Sequence, residues 1–167
     1  MDPISSEALT SLKTALDALL PPQPDVALKP TLSLNPLRIT PTGLSGFVGL
    51  NDNPRGELYG RRVRATAVVN VKARELPDLD VAVTAVTGAL IAADSLVLRQ
   101  RGILSMALDE LGPKSVSGSG ANRIAEREVS LNVLFDYVKK PAAVESVISQ
   151  VPVNLTVDSV TEHLTIA

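Results

Sequence analysis

Two stretches of the chain alternate apolar and polar side chains with a period of two, and they restrict the possible folds more than any other feature. Across residues 58–73, Val63, Ala65, Ala67, Val69, Val71 and Ala73 alternate with Arg62, Arg64, Thr66, Val68, Asn70 and Lys72. Across residues 128–137, Val129, Leu131, Val133, Phe135 and Tyr137 alternate with Glu128, Ser130, Asn132 and Asp136, with Leu134 the one exception. A period of two means a β-strand whose side chains point to opposite faces. Strands with one apolar and one wet face are typical of antiparallel sheets, and the apolar face must be covered.

Helices are expected to supply that cover. Ser5 or Ser6 is a suitable N-cap for a first helix, with Glu7 near its positive end. Leu9, Leu12, Leu16, Leu19 and Leu20 then share one face, and Pro21-Pro22 stops the helix. Asp78, after Pro77, is the expected N-cap of a long second helix whose buried stripe is Leu79, Val83, Val86, Leu90 and Leu98. Gly102 ends it after Arg99 and Arg101. Residues 103–111 alternate well enough for a strand, while Leu104, Leu108 and Leu111 also suit a helix. A strand is expected, because Gly102 has already ended the helix.

The remaining pieces are shorter. Val26-Ala27-Leu28, Thr31-Leu32-Ser33-Leu34 and Leu37-Arg38-Ile39-Thr40 are β-like and separated by Pro30 and Pro36, which suits edge strands. Pro141 opens a short helix with Val144, Val147, Ile148 and Val151 on its buried side. Residues 153–157 read as a final strand, followed by a loose C-terminal tail. The whole, residues 1–167, is expected to be one α+β domain with a largely antiparallel β-sheet and helices packed on one face. Mobile loops are expected at 41–57 and 112–122, where glycine, proline, serine and asparagine accumulate. The first carries Phe47, Val48 and Leu50, which is unusual for a solvated loop. It either folds back over its own core or docks on a neighbouring subunit.

The sequence offers no catalytic centre. Cysteine is absent, so thiol chemistry, Cys-based zinc sites and disulfides are excluded. His163 is the only histidine and has no metal-ligand or triad partners at a recognisable spacing. Gly43, Gly46 and Gly49 match neither a phosphate-binding loop nor a dinucleotide fingerprint. Asp78 with Asp80, and Asp109 with Glu110, lack the further convergent carboxylates that hydrolytic chemistry needs. No catalytic residue, cofactor or metal is therefore expected. A net charge of −2 and an aromatic content of 2% give no reason to expect nucleic-acid binding. The N-terminus does not read as a signal peptide, and no apolar run suggests a membrane span, so a cytoplasmic site of synthesis is expected.

The densest positive patch is Arg61-Arg62-Val63-Arg64, with Arg62 and Arg64 on one strand face and Arg61 on the other. Pairing with Glu126 and Glu128 on the second long strand is the favoured reading, since opposite charges across strands stabilise a wet face. A subunit interface and phosphate binding are the alternatives. The interface candidates are Phe47, Val48, Leu50, Arg61, Arg62 and Arg64.

Three segments carry a resemblance to a known family. They are Gly43-Leu44-Ser45-Gly46-Phe47-Val48-Gly49 leading into Glu57-Leu58-Tyr59-Gly60-Arg61-Arg62, the helix after Pro77-Asp78-Leu79, and the strand from Arg127 to Tyr137. Together they resemble the tail-terminator proteins of long-tailed bacteriophages and the cap proteins of contractile injection systems. The resemblance implies a structural, non-enzymatic protein forming a homo-oligomeric ring, commonly a hexamer. It implies as partners the tail tube protein, a head-side connector or stopper and, in contractile systems, the sheath protein. Such a ring stops tube polymerisation and sits in the virion at the head-proximal end of the tail. Two other readings stay open: a different particle component, such as a neck connector, tube subunit or baseplate adaptor, and a small-ligand protein or enzyme.

Overall fold

The two alternating stretches lie side by side at the centre of one four-stranded sheet. They are β2 (Arg55–Ala73) and β4 (Ile124–Lys139), paired antiparallel from Tyr59↔Lys139 to Ala73↔Ala125 without a break in register. β1 (Thr31–Asp52) flanks β2 and β3 (Ile103–Ser117) flanks β4, giving the order β1-β2-β4-β3 with every pair antiparallel. The computed structural model describes residues 2–52 and 55–141. The expected helix after Pro141, the strand at 153–157, the tail and His163 lie outside the described residues.

One sheet face is dry. Val63, Ala65, Ala67, Val69 and Val71 of β2 are buried with Ala125, Val129, Leu131, Val133 and Phe135 of β4. α1 (Pro3–Asp17) lays Ala8, Leu12 and Leu16 on this surface, and α2 (Leu76–Ile91) lays Leu79, Val83, Val86 and Leu90 on it. Small alanines at 65 and 67 beneath the larger helix side chains let the layers interdigitate. Each large aliphatic residue buried here contributes about 1.5–3 kcal/mol. The α+β architecture, the antiparallel sheet and the helices on one face are as the sequence led us to expect.

Several local expectations are corrected. Asp2, rather than Ser5 or Ser6, caps α1: its carboxylate accepts from the Ser5 backbone N–H at 2.8 Å and from the Ser5 hydroxyl at 2.7 Å. Val26–Leu28 is a 3-10 turn capped by Asp25, not a strand. The second helix begins at Leu76, so Asp78 sits in its first turn instead of capping it. It also breaks after Ile91, and α3 (Ser95–Gln100) restarts with Asp94 as its cap. Gly102 follows with φ 83°, the left-handed conformation of a helix stop, and a Cβ there would meet the Asp136 carbonyl oxygen at 2.5 Å.

The two expected loops are the largest corrections. Residues 41–52 continue β1, and β2 already begins at Arg55. Residues 112–117 continue β3, leaving only a tight connection at Gly118 and Gly120, both at positive φ. Composition misled because glycine and proline mark bulges and edge positions in strands as well as loops. β1 holds Pro36 and Pro41 and breaks register at Leu37, at 43–46 and at Val48. β3 holds Pro113 and breaks register near Leu104, Asp109 and 112–113. Both are edge strands, where such interruptions are tolerated.

An ion pair ties α1 to the end of β4. Glu7 accepts from Lys139 Nζ at 2.6 Å and from the Tyr137 hydroxyl at 3.1 Å. The Lys139 contact holds the Glu7 carboxyl below its ordinary value of 4.5. A lowered folded-state value means that the contribution is complete above about pH 4.5 and is lost as pH falls through the folded value. Thermal melts between about pH 6 and pH 3 should therefore show Glu7→Gln less stable than the parent at the upper end and converging with it in acid. Parallel curves across that range would show that the pair contributes nothing.

Candidate interaction surfaces

Past the last pair with β4, at Tyr59↔Lys139, β1 and β2 continue alone as a two-stranded arm reaching Asp52↔Arg55. At its root, Thr42 pairs with Gly60 and Phe47 with Tyr59, so residues 43–46 are extruded as a bulge. Gly43, Ser45 and Gly46 take positive φ values of 69°, 53° and 98°, which makes this tight excursion possible. A side chain at Gly43 would strike the Phe47 carbonyl oxygen at 2.2 Å. The bulge presents Leu44, 82% exposed, and the arm also presents Leu50, 72% exposed, beside half-exposed Val48. Phe47 is also exposed and stands edge-on to its cross-strand neighbour Tyr59, with ring centroids 6.4 Å apart. The Tyr59 hydroxyl donates to Glu57, which pushes the phenol above its ordinary range.

The structure separates the sequence candidates into three places. Phe47, Val48 and Leu50 lie on the arm. Arg61 lies on the helix side of the sheet, its side chain 14% exposed, with Nη1 donating to the Gly60 carbonyl at 3.0 Å and Nη2 3.7 Å from Asp2. It braces the root of the arm against the start of α1. A Cβ at Gly46 would meet Arg61 Nη1 at 2.4 Å, so the bulge closes directly over this guanidinium.

Arg62 and Arg64 lie on the wet outer face. Local pairing holds for Arg62, but with a different partner from Glu126 or Glu128. Its Nε and Nη2 each donate to an Asp136 carboxylate oxygen at 2.7 Å, a two-pronged contact that raises the guanidinium further above its ordinary range. The antiparallel register decides this: Arg62 stands opposite Asp136, whereas Glu126 and Glu128 stand opposite Lys72 and Asn70. The side chain of Asn70 donates to Glu126 at 3.0 Å.

Arg64 is different. Its neighbour on β4 is Leu134, and its neighbour on β1 is Arg38. Both arginines are exposed, and neither has an ion-pair partner among the described residues. Arg38, Thr40, Arg62, Arg64 and Leu134 together line a shallow basic depression on this face. Sequence reasoning missed Arg38 because Leu37 is a bulge residue. Only the shifted register brings Arg38 opposite Arg64.

A third surface is apolar. Between α2 and edge strand β3, Val83, Thr87, Ile91, Leu108 and Leu111 line a groove of about 600 Å³. Among the described residues no cluster of acidic or histidine side chains is arranged to hold a metal ion, and no helix is long and apolar enough to cross a membrane.

No protein-family model matches the chain, and no curated protein matches it.

Like charges directly opposite each other on neighbouring strands are destabilising. Arg64→Glu sets a carboxylate across from Arg38 and removes that repulsion. It should stabilise the isolated chain by up to about 1 kcal/mol. A melting temperature raised by about 1–4 °C in calorimetry is the expected reading. A lowered melting temperature would mean that Arg64 has a structural partner.

Proposed function

We propose that this chain is a tail-terminator-like structural protein, a subunit of a closed ring of six copies that caps a tail tube, stops its growth and offers a platform to the head-side connector or the end of the sheath. The observation that carries the reading is the arm. A two-stranded extension that exposes Leu44, Val48 and Leu50 has no use for them in its own core, and apolar side chains grouped on a projecting element fit a partner surface. The resemblance carried by the bulge segment, the helix at Leu79 and strand β4 points to the same assembly. Heterologous contacts that close give rings, and those that do not close give filaments.

Electron microscopy of the purified protein, alone and with a tube protein, tests the reading. Closed rings alone or on tube ends are expected. Open filaments would assign the chain to the tube itself, and monomers under both conditions would remove the ring. Leu44→Ser with Leu50→Ser should leave the melting temperature within about 2 °C of the parent, because exposed positions rarely cost more than about 0.5 kcal/mol. The same variant should no longer form rings or dock on the tube end. Unfolding of this variant would place the arm in the core.

A further inference from the structure

The outer sheet face holds two balanced charge pairings, Arg62 with Asp136 near the arm and Lys72 opposite Glu126 at the far end, and between them two groups of like charge that stand without ion-pair partners. Arg38 on β1 and Arg64 on β2 form an unpaired basic corner towards the arm end of the sheet. Asp109 and Glu110 on β3 and Glu128 on β4 form an acidic corner on the β3 side, from the middle of the sheet away from the arm, with Asp109 accepting from the Asn132 side chain at 2.9 Å. All three carboxylates are exposed, and none has an ion-pair partner among the described residues. Arg64 stands opposite Leu134 and Glu110 opposite Ser130, so these two residues are separated by two strand spacings and four residues along β4. That places them roughly 16 Å apart, about twice the screening length at physiological salt. Neither corner neutralises the other within one copy.

We infer that the partner of this face is a second copy of the same chain, docked head to tail, with Arg38 and Arg64 of one copy against Asp109, Glu110 and Glu128 of the next. The inference rests on the ring reading and gives it a contact. Charge complementarity selects the occupant: each chain carries both halves of the pairing, and its net charge of −2 sets up little repulsion between copies. Nucleic acid fits poorly, because a phosphate backbone crossing the face meets the acidic corner. Face-to-face stacking of two whole sheets would strip water from Thr66, Asn132 and the Arg62–Asp136 pair without giving them new partners. Corner-to-corner docking covers less of the face, and the groups it reaches keep their partners, Asn132 on Asp109 and Arg62 on Asp136. It also gives every copy one donor and one acceptor surface, which a ring requires.

A charge-swap experiment by mass photometry tests this. One variant carries Arg38→Glu and Arg64→Glu, the other Glu110→Lys and Glu128→Lys. Each alone should associate at least about tenfold more weakly than the parent, because like charges now meet across the contact. An equimolar mixture should recover assembly, since every contact in an alternating array is again complementary. Parent assemblies should weaken as salt rises. Calorimetry on each variant checks that it folds. If the parent forms rings and the variants form them equally well, or if the mixture recovers nothing, this contact is wrong while the ring stands. A recovered species of two copies overturns the head-to-tail arrangement. A parent that never associates, alone or on a tube, removes the ring and the contact together.

Discussion

Everything in this molecule is referred to the pairing of β2 with β4. Their register runs unbroken from Tyr59↔Lys139 to Ala73↔Ala125, so the aliphatic sets of the two strands fall on one face along the whole length. A slip of one residue would turn Arg62 and Arg64 into the core and put Val63 and Ala65 in water, which makes the register close to compulsory. α1 and α2 pack on the surface this pairing creates, and both edge strands take their register from it. The charges of the wet face inherit their positions from the same register: Asp136 meets Arg62 because Val63 meets Phe135.

How much of this was legible in the sequence depended on the range of the interactions involved. The dry faces of β2 and β4 and the stripe Leu79, Val83, Val86 and Leu90 are written in local periodicity, and those residues are buried as expected. The alternation after Gly102 likewise reads correctly as a strand. The arm was not legible. Gly43 and Gly46 read as loop residues, yet they serve a bulge whose existence depends on Tyr59 and Gly60 across the ladder. Helix caps failed more narrowly, since Ser5 is a good capping residue that here donates to a better one, Asp2.

The candidate site shows the same division. That Arg62 and Arg64 share a wet face follows from parity alone, but their fates differ through cross-strand neighbours that only the register supplies. Arg62 faces a carboxylate, while Arg64 faces Arg38 and Leu134. Two arginines two positions apart on one strand are thus a neutralised pair and an unspent charge. Arg61, between Gly60 and Arg62 in sequence, belongs to the opposite face and to the packing beneath the arm.

The interrupted edges have a consequence for how copies of this chain can meet at all. A bare edge strand recruits neighbours through its backbone, whose hydrogen-bonding groups are the same in every protein and cannot discriminate. Here prolines and register breaks deny both edges a continuous row of donors and acceptors. Any association between copies would be left to side chains, which differ from position to position and respond to salt and to single substitutions. A chain built this way offers no bare edge to template its own aggregation, and any contact between copies falls to residues that can be changed one at a time.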